Sequence, residues 1–331
     1  MSEHLLAETA QRVFADAKDW RSIEEAGLPW VMVSEAAGGF GGGYEDAAVV
    51  LIAAGRHAVP APIAEAIIAA KILSDAKLEV GASLSLARTC EGQSRIAGGE
   101  INFTGILHGV AFGRNVERVA ALVEHDGRNL VAVFNRADVK QIEQHANPAG
   151  EPRDDFHFEN VKGVCATTDW NADRLYRAMA FARACQMSGA MDAALALAAT
   201  HVRDRQQFGK ALASFQAIQQ QMALFTEEAA AARAACAAAA RAADRGEASF
   251  EMAAAKLRAN QASATATNVA HQVHGAIGFT REYDLQRFTR RLWAWRSEYG
   301  NDRRWATEIG ARVAREGNEG FWPGLVSGFA R

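Results

Sequence analysis

The sequence of 331 residues has few of the features that mark secreted, metal-binding or membrane proteins. Its four cysteines lie far apart, with no Cys-x-x-Cys pair and no other metal-ligand spacing, so we predict reduced thiols and no metal site. The longest apolar runs, such as residues 47–54, are less than half of the roughly 20 residues that a membrane-spanning helix needs. The first residues are too polar for the core of a signal peptide. These absences predict a cytoplasmic protein with no membrane partner.

An excess of positive charge is also lacking. The net charge is −3, and no long basic run is present. Arginines and tryptophans do interleave between residues 290 and 305, a composition that can bind nucleic acid. In an apolar, helical context we expect this tract to contact another subunit or the phosphates of a CoA instead, so no nucleic-acid partner is predicted.

The pattern of residue types along the chain changes at about residue 82. Before it, apolar residues recur every three or four positions, as on buried helix faces. Short segments rich in β-branched residues follow, separated by Gly, Asp or Asn, and then alanine-rich helices. We therefore predict an α+β, mostly helical fold with an N-terminal helical domain at 1–81, a small middle β-barrel or sandwich at 82–165, and a C-terminal four-helix bundle at 166–331.

Two polar segments interrupt the helical C-terminal part, and the first of them reads RQQFGKALASFQ from Arg205 to Gln216. An arginine near a helix end can bind a pyrophosphate through its planar set of donors, and the Phe208 ring can stack on an adenine. Gln207 adds an amide group. A purely structural alternative is a helix end, where Arg205 favours the helix dipole and Gly209 forms a left-handed cap.

The second segment, HQVHGAIGF, covers residues 271–279. Gly275 would let the backbone approach phosphate oxygens closely, Ala276 adds little bulk, and Gln272 supplies an amide. His274 is expected to be packed or to face a phosphate rather than to catalyse. The alternative is a helix junction broken by glycine. Together the two segments predict a site for a large anionic cofactor such as a dinucleotide.

In this order and at this separation, the two segments resemble the C-terminal helical domain of the acyl-CoA dehydrogenases, which are flavin enzymes. The likeness follows the patterns RxxFGxxLxxFQ and Q..GG.G, with alanine at the second small position of the latter. The resemblance implies FAD as cofactor and an acyl-CoA as substrate, with the first segment reaching the ADP half of a flavin that a neighbouring subunit mainly binds. Seven residues are implied in cofactor binding: Arg205, Gln207, Phe208, Gln216, Gln272, Gly275 and Ala276.

The resemblance fails at the catalytic base. Dehydrogenation needs a carboxylate that takes the α-proton while the β-hydride passes to the flavin. Many family members carry this glutamate about nine residues after an arginine, and counting from Arg290 puts that position at Tyr299. A phenol, with an ordinary pKa of about 10, is a poor base at neutral pH. The family's other base position, about 26 residues before Arg205, is Met179.

Glu298 lies one residue before Tyr299 and could serve as the catalytic base if the loop shifts by one residue. Otherwise we expect a surface glutamate paired with Arg296 or Arg303. A second departure is the family's TEP..GSD loop, which contacts flavin ring and substrate and has no counterpart in residues 80–98. Both losses fall on the ring-facing half of the site, whereas both retained segments fall on the half offered to a neighbour's FAD.

The tract RRLWAWRSEYGN resembles the short partner chains of sterol-side-chain degradation, in which two unlike acyl-CoA dehydrogenase chains form heterotetramers and one supplies a complete active site. We predict an FAD-linked acyl-CoA dehydrogenase subunit of lipid metabolism that lacks a complete catalytic set. Within a homo- or hetero-oligomer it would contribute the ADP-binding half of the FAD site to a partner subunit, and the assembly would act on a bulky acyl-CoA such as one with a steroid side chain. Two alternatives stay open: a self-sufficient homo-oligomeric dehydrogenase with Glu298 as base, and a flavin-dependent monooxygenase on the same fold.

Overall fold

A computed structural model describes residues 3–17 and 19–327 of the chain, which is mostly helical. The chain divides into two compact units, Met1–Met179 and Ala180–Arg331. The boundary between these units falls inside a long helix, and the three predicted domains stay a prediction.

The first unit begins with helices, as the apolar spacing predicts. They are α1 (Glu3–Asp16), α2 (Trp20–Glu25), α3 (Tyr44–Arg56) and α4 (Ile63–Asp75). Asp19 caps α2 by accepting a hydrogen bond from the Ser22 amide at 3.0 Å. Helix α4 is buried on most of its surface, which explains its almost continuous apolar sequence.

A seven-stranded sheet completes the first unit. The strands run in the order β1-β4-β5-β7-β3-β2, with β6 beside β7, and every pairing except that of β1 with β4 is antiparallel. Their bounds are β1 (Leu84–Leu86), β2 (Thr89–Ala97), β3 (Glu100–Ala111), β4 (Arg118–His125), β5 (Arg128–Asn135), β6 (Gln141–Glu143) and β7 (Arg153–Thr167).

The sheet contains two strands that the sequence does not signal, β2 and β6. Both are largely exposed, so neither carries the alternating apolar residues that reveal a strand. The core on the buried face of the sheet is aromatic: Phe134 lies between Phe103 and Phe158, with ring centroids 5.5 Å and 5.1 Å away. These packed rings explain why the neighbouring strands are easy to recognise.

Five helices follow the sheet: α5 (Ala172–Asp204), α6 (Gln216–Asp244), α7 (Ser249–His274), α8 (Leu285–Ser297) and α9 (Asp302–Ser327). Alanines recur at buried positions one helical turn apart, as at Ala190, Ala194 and Ala198 in α5. Their small side chains let neighbouring helices approach closely. None of the described helices is long and apolar enough to cross a membrane.

Candidate functional site

The segment that starts at Arg205 forms a hairpin directly after α5. Strand β8 (Gln206–Gln207) pairs with β9 (Lys210–Ala211) in antiparallel register. The two connecting residues, Phe208 and Gly209, both have positive φ, at 54° and 78°. Two such residues make the tight turn that matches the twist of a hairpin. Gly209 therefore belongs to a hairpin turn, and its interpretation as a helix cap is wrong.

Phe208 stands at the tip of this hairpin and is 90% exposed. A bulky aromatic residue with φ of 54° is uncommon, because its side chain crowds the backbone. Behind it, Phe215 lies 6.2 Å away between ring centroids, and the Lys210 ammonium group lies 4.3 Å from the centre of the Phe215 ring. The hairpin thus holds an apolar ring in solvent on a fixed backbone.

The glycine segment follows the C-terminal end of α7. Gly275 has φ 64° and ψ −143°, a conformation that glycine alone adopts readily. A Cβ atom built on Gly275 would meet no atom within 4 Å, so this stretch of backbone is open to approach. The flanking residues Gln272 and Ala276 are also exposed.

A cluster of rings brings the two segments together. His201, in the last turn of α5, stacks on His274, in the last turn of α7, with 4.5 Å between ring centroids. His274 Nδ1 donates to the Ala270 carbonyl at 2.7 Å, and its Nε2 lies 3.1 Å from the Tyr283 hydroxyl. Burial lowers the pKa of both histidines below the ordinary value. His274 is therefore a packed residue that joins the ends of two helices.

The exposed residues of this region fit the ADP part of FAD. The seven residues implied by the resemblance are all exposed, and Arg205 forms no ion pair within residues 3–17 and 19–327. They offer a guanidinium fork, amide groups, an aromatic face and an open glycine backbone, which suit a pyrophosphate and an adenine. No group of three or more His, Cys, Asp or Glu side chains in the described part of the chain could hold a metal ion.

The segment at 295–302 contains the end of α8, the turn itself and the first residue of α9. Unlike the two exposed segments, it is held by contacts with other residues of the chain. Tyr299 and Gly300 both have positive φ, at 51° and 101°. The indole of Trp305 donates to the Tyr299 carbonyl at 3.1 Å, and a Cβ atom on Gly300 would lie 2.3 Å from that indole nitrogen. Asn301 begins α9 by accepting from the Arg304 amide at 3.1 Å. Tyr299, Gly300 and Asn301 are thus each held by a contact with a residue of α9.

Glu298 points its carboxylate at a buried cation. Its Oε2 accepts a hydrogen bond from Arg183 Nε at 2.7 Å, and the two side chains are 13% and 2% exposed. Arg183 also donates to Gln186 Oε1 at 2.6 Å and lies within 6 Å of the ring centres of Trp295 and Tyr299. The expectation of a surface glutamate paired with Arg296 or Arg303 is therefore wrong: Glu298 pairs inward, across to α5.

The base positions offer no free carboxylate. Met179 is buried in α5, and Tyr299 is buried in the turn. Glu298 could act as a base only after the turn shifts by one residue, and such a shift would break the contacts of residues 298–301. Protonation of Glu298 would also remove the negative charge beside the Arg183 guanidinium. The assignment of Glu298 as base stays a prediction.

Two buried polar residues escape the sequence analysis. Lys256 is fully buried in α7, and its Nζ donates to Asn260 Oδ1 and to the Trp295 carbonyl, both at 2.7 Å. Burial is the main reason that the pKa of Lys256 falls to about 7. A cation among alanines and other apolar residues, as at Lys256 and Arg183, is the signal that could have revealed them.

Relatives of the chain agree in family. Residues 168–314 match the family model "Acyl-CoA dehydrogenase, C-terminal domain". The acyl-CoA dehydrogenase IpdE2 of Mycolicibacterium smegmatis is 27% identical over 281 residues, which cover 83% of this chain and 81% of that protein. Acryloyl-CoA reductase (NADH) of Anaerotignum propionicum is 37% identical over 106 residues, 32% of this chain and 27% of that one.

Solved structures share the fold. The ChsE4-ChsE5 complex from Mycobacterium tuberculosis superposes with a TM-score of 0.81 at 20% identity, covering 94% of this chain and 96% of that chain. A variant described as the Tcur3481-Tcur3483 steroid ACAD gives 0.83 at 21% identity, covering 95% and 98%. Butyryl-CoA dehydrogenase from Megasphaera elsdenii gives 0.80 at 17% identity, with the same coverage of 95% and 98%. Residues 168–314 thus carry the C-terminal domain of the acyl-CoA dehydrogenase family, whose members are FAD-dependent oxidoreductases.

Proposed function

We propose that this chain is a subunit of an acyl-CoA dehydrogenase that contributes the ADP-binding half of the FAD site to a partner subunit. The observation that carries the proposal is a contrast within one helical unit. Phe208 stands exposed at the tip of a hairpin, whereas Glu298, the carboxylate nearest the family's base position, is engaged with Arg183. The chain therefore offers binding groups outward and keeps its candidate base occupied.

In this proposal the exposed residues bind and orient the cofactor. The Arg205 guanidinium pairs with the pyrophosphate, and the Phe208 ring stacks on the adenine. Gln207, Gln216 and Gln272 donate amide hydrogen bonds, while Gly275 and Ala276 leave space for phosphate oxygens. The bound flavin supplies the hydride acceptor for α,β-dehydrogenation, and the partner subunit supplies the base.

The proposed substrate is a bulky acyl-CoA thioester, such as one with a steroid side chain. One of the similar structures is described as a steroid ACAD, and the ChsE4-ChsE5 complex contains two differently named chains. Both descriptions support a mixed assembly of two unlike chains, and the first supports a steroid-containing substrate. The proposed partner is accordingly a second acyl-CoA dehydrogenase-like chain that carries a complete catalytic set.

The visible absorption spectrum tests the proposal directly. The chain purified alone should be colourless, and the same chain co-expressed with an acyl-CoA dehydrogenase-like partner should copurify as a yellow complex with dehydrogenase activity. A lone chain that holds one flavin per chain and dehydrogenates an acyl-CoA would overturn the proposal and favour a self-sufficient homo-oligomer. Oxygen consumption with reduced flavin, without acyl-CoA dehydrogenation, would favour the monooxygenase alternative.

A single substitution sharpens the test. Phe208→Ala should lower the flavin content of the copurified complex about tenfold, because stacking of a base on an aromatic ring is worth about 1–3 kcal/mol. The free energy of unfolding of the chain should stay within about 0.5 kcal/mol, since the ring is exposed. Trp322→Ala is the matched control, because Trp322 is 63% exposed on α9 and lies outside both segments. Equal flavin loss in both variants would contradict a specific role for Phe208.

A further inference from the structure

Lys256 is a fully buried cation in the middle of α7, and nothing in the proposed function uses it. Taking an ammonium group out of water is strongly unfavourable unless its donors find acceptors. In some proteins a buried charge specifies one conformation that a hydrophobic side chain would leave loose. Its acceptors therefore indicate what it holds.

The three donors of the Lys256 ammonium group face three oxygen atoms. They are Asn260 Oδ1 at 2.7 Å, the Trp295 carbonyl at 2.7 Å and the Arg296 carbonyl at 3.4 Å. The two carbonyls belong to the last turn of α8, where carbonyl groups lack partners within the helix and carry partial negative charge. Lys256 thus closes the end of α8 from inside the protein.

Asn260 extends this contact to the far side of the turn. Its Oδ1 accepts from Lys256, which orients its Nδ2 to donate to the Gly300 carbonyl at 3.2 Å. Four charged groups on the surrounding elements influence the pKa of Lys256: Arg183 of α5, Glu298 of the turn, Arg296 of α8 and Asp302 of α9. Arg296 and Asp302 also pair with each other. One amino group is therefore the centre of the polar contacts of the turn.

We propose that Lys256 is a positioning residue whose amino group holds residues 295–302 in the turn that keeps Glu298 on Arg183. It acts through the end of α8 and through Asn260 rather than by touching substrate or cofactor. These contacts lie within this chain alone, so Lys256 has this role whether or not a partner subunit shares the FAD site.

The pH dependence of the turn gives this role a specific signature. The pKa of Lys256 is about 7 in the folded chain, below its ordinary value of 10.5. When the turn opens and Lys256 reaches water, the amino group regains the higher pKa. Between these two values the open turn binds a proton that the closed turn does not, so raising the pH favours the closed turn. Protection should rise by up to about tenfold per pH unit above pH 7.

Hydrogen exchange of the full-length chain, followed by mass spectrometry on peptides covering residues 293–305, tests the proposal. In Lys256→Met the turn should exchange on the order of tenfold faster than in the wild-type chain, because the hydrogen bonds that the Lys256 amino group donates are lost. After correction for the intrinsic exchange rate, the wild-type turn should gain protection between pH 7 and 9, and the variant should lack this slope. Lys162→Met, at an exposed lysine in β7, should match the wild-type chain.

Two results would overturn the proposal: exchange of the turn in Lys256→Met within about twofold of wild type, or the same pH slope in both chains. If Lys256→Met does not fold, Asn260→Ala takes its place, since it removes the bond to Gly300 and leaves Lys256. It should speed exchange of the turn while keeping the pH slope. A wild-type turn whose protection does not change between pH 7 and 9 would contradict the role of Lys256 without any variant.

Discussion

Two regions of the helical unit that begins at Ala180 differ in whether their polar groups face solvent or contact other residues of the chain. At the open end, formed by the hairpin at 205–211 and the segment at 272–279, the candidate cofactor-binding residues face solvent. In the turn at 295–302, polar groups are buried and held by other residues of the chain, such as Lys256 and Arg183.

In the proposed function, this difference places cofactor binding at the open end and leaves catalysis to the partner subunit. A region that exposes an aromatic ring, an arginine and an open glycine backbone is ready for a ligand or a partner to complete it. In the turn, the Glu298 carboxylate already contacts the buried Arg183 guanidinium, so its charge is balanced within the chain without a ligand. Both regions correspond to parts of an acyl-CoA dehydrogenase site in the resemblance, yet only the open end has groups left to offer.

The largest effect is expected from breaking the closed turn at its ion pair. Arg183→Met should lower the free energy of unfolding by about 3–5 kcal/mol, because it leaves the largely buried Glu298 carboxylate without its cation. Denaturation with urea measures this loss. The surface pair of Lys140 and Glu159 is the matched control, and Glu159→Gln should change stability little since both side chains are well exposed.

Glu298→Gln separates an anchoring role from a catalytic one. An anchor predicts a loss of stability close to that of Arg183→Met, and a double variant less destabilised than the sum of the two single variants. If stability and flavin binding stay intact while turnover is abolished, Glu298 is the base, and the chain is a self-sufficient dehydrogenase.

A smaller effect is expected from adding one methyl group to each region. Gly300→Ala should cost about 3 kcal/mol, because positive φ is combined with a Cβ atom only 2.3 Å from the Trp305 indole nitrogen. Gly209→Ala at the hairpin tip should cost about 1 kcal/mol, from its backbone conformation alone, since no atom lies near its Cβ. Thermal unfolding of both variants checks the order, and equal costs would contradict the contrast in packing.

The smallest effect concerns pH at the open end. Burial lowers the pKa of His201 and His274, so the unfolded chain takes up protons before the folded chain does as the pH falls. Their contribution to stability is complete above the ordinary pKa of about 6.5 and is lost as the pH falls through the lowered values. Thermal unfolding between pH 7.5 and 5 should show a smaller decline for His274→Gln than for the wild-type chain. Parallel declines would show that the ring cluster does not titrate in this way.

The sequence predicts most of the fold because its signals are local. Apolar spacing reveals the long helices, and β-branched runs reveal the buried strands, whereas the exposed strands β2 and β6 carry no such pattern. At the candidate site, the motif from Arg205 to Gln216 identifies the residues. Its hairpin depends on positive φ at both Phe208 and Gly209, and the sequence gives no sign of this conformation at a bulky residue such as Phe208.

The parts of the candidate site that the sequence does not predict depend on contacts between positions far apart in the chain. Arg183 and Glu298 are 115 positions apart, and their pairing depends on how α5 packs beside the end of α8. No spacing rule connects them. The expectation that Glu298 lies on the surface followed from the many arginines near it in sequence, and it failed because a more distant arginine is closer in space.

In the proposed complex, the pairing of β8 with β9 would affect the rate and the heat-capacity change of association. Because the backbone of Phe208 is already fixed by the pairing of β8 with β9, docking of its ring has little conformational entropy left to lose. Association of the hairpin should therefore resemble rigid-body docking, with a rate set by diffusion and orientation rather than by a folding step. The burial of its exposed ring should appear mainly as a negative heat-capacity change on binding.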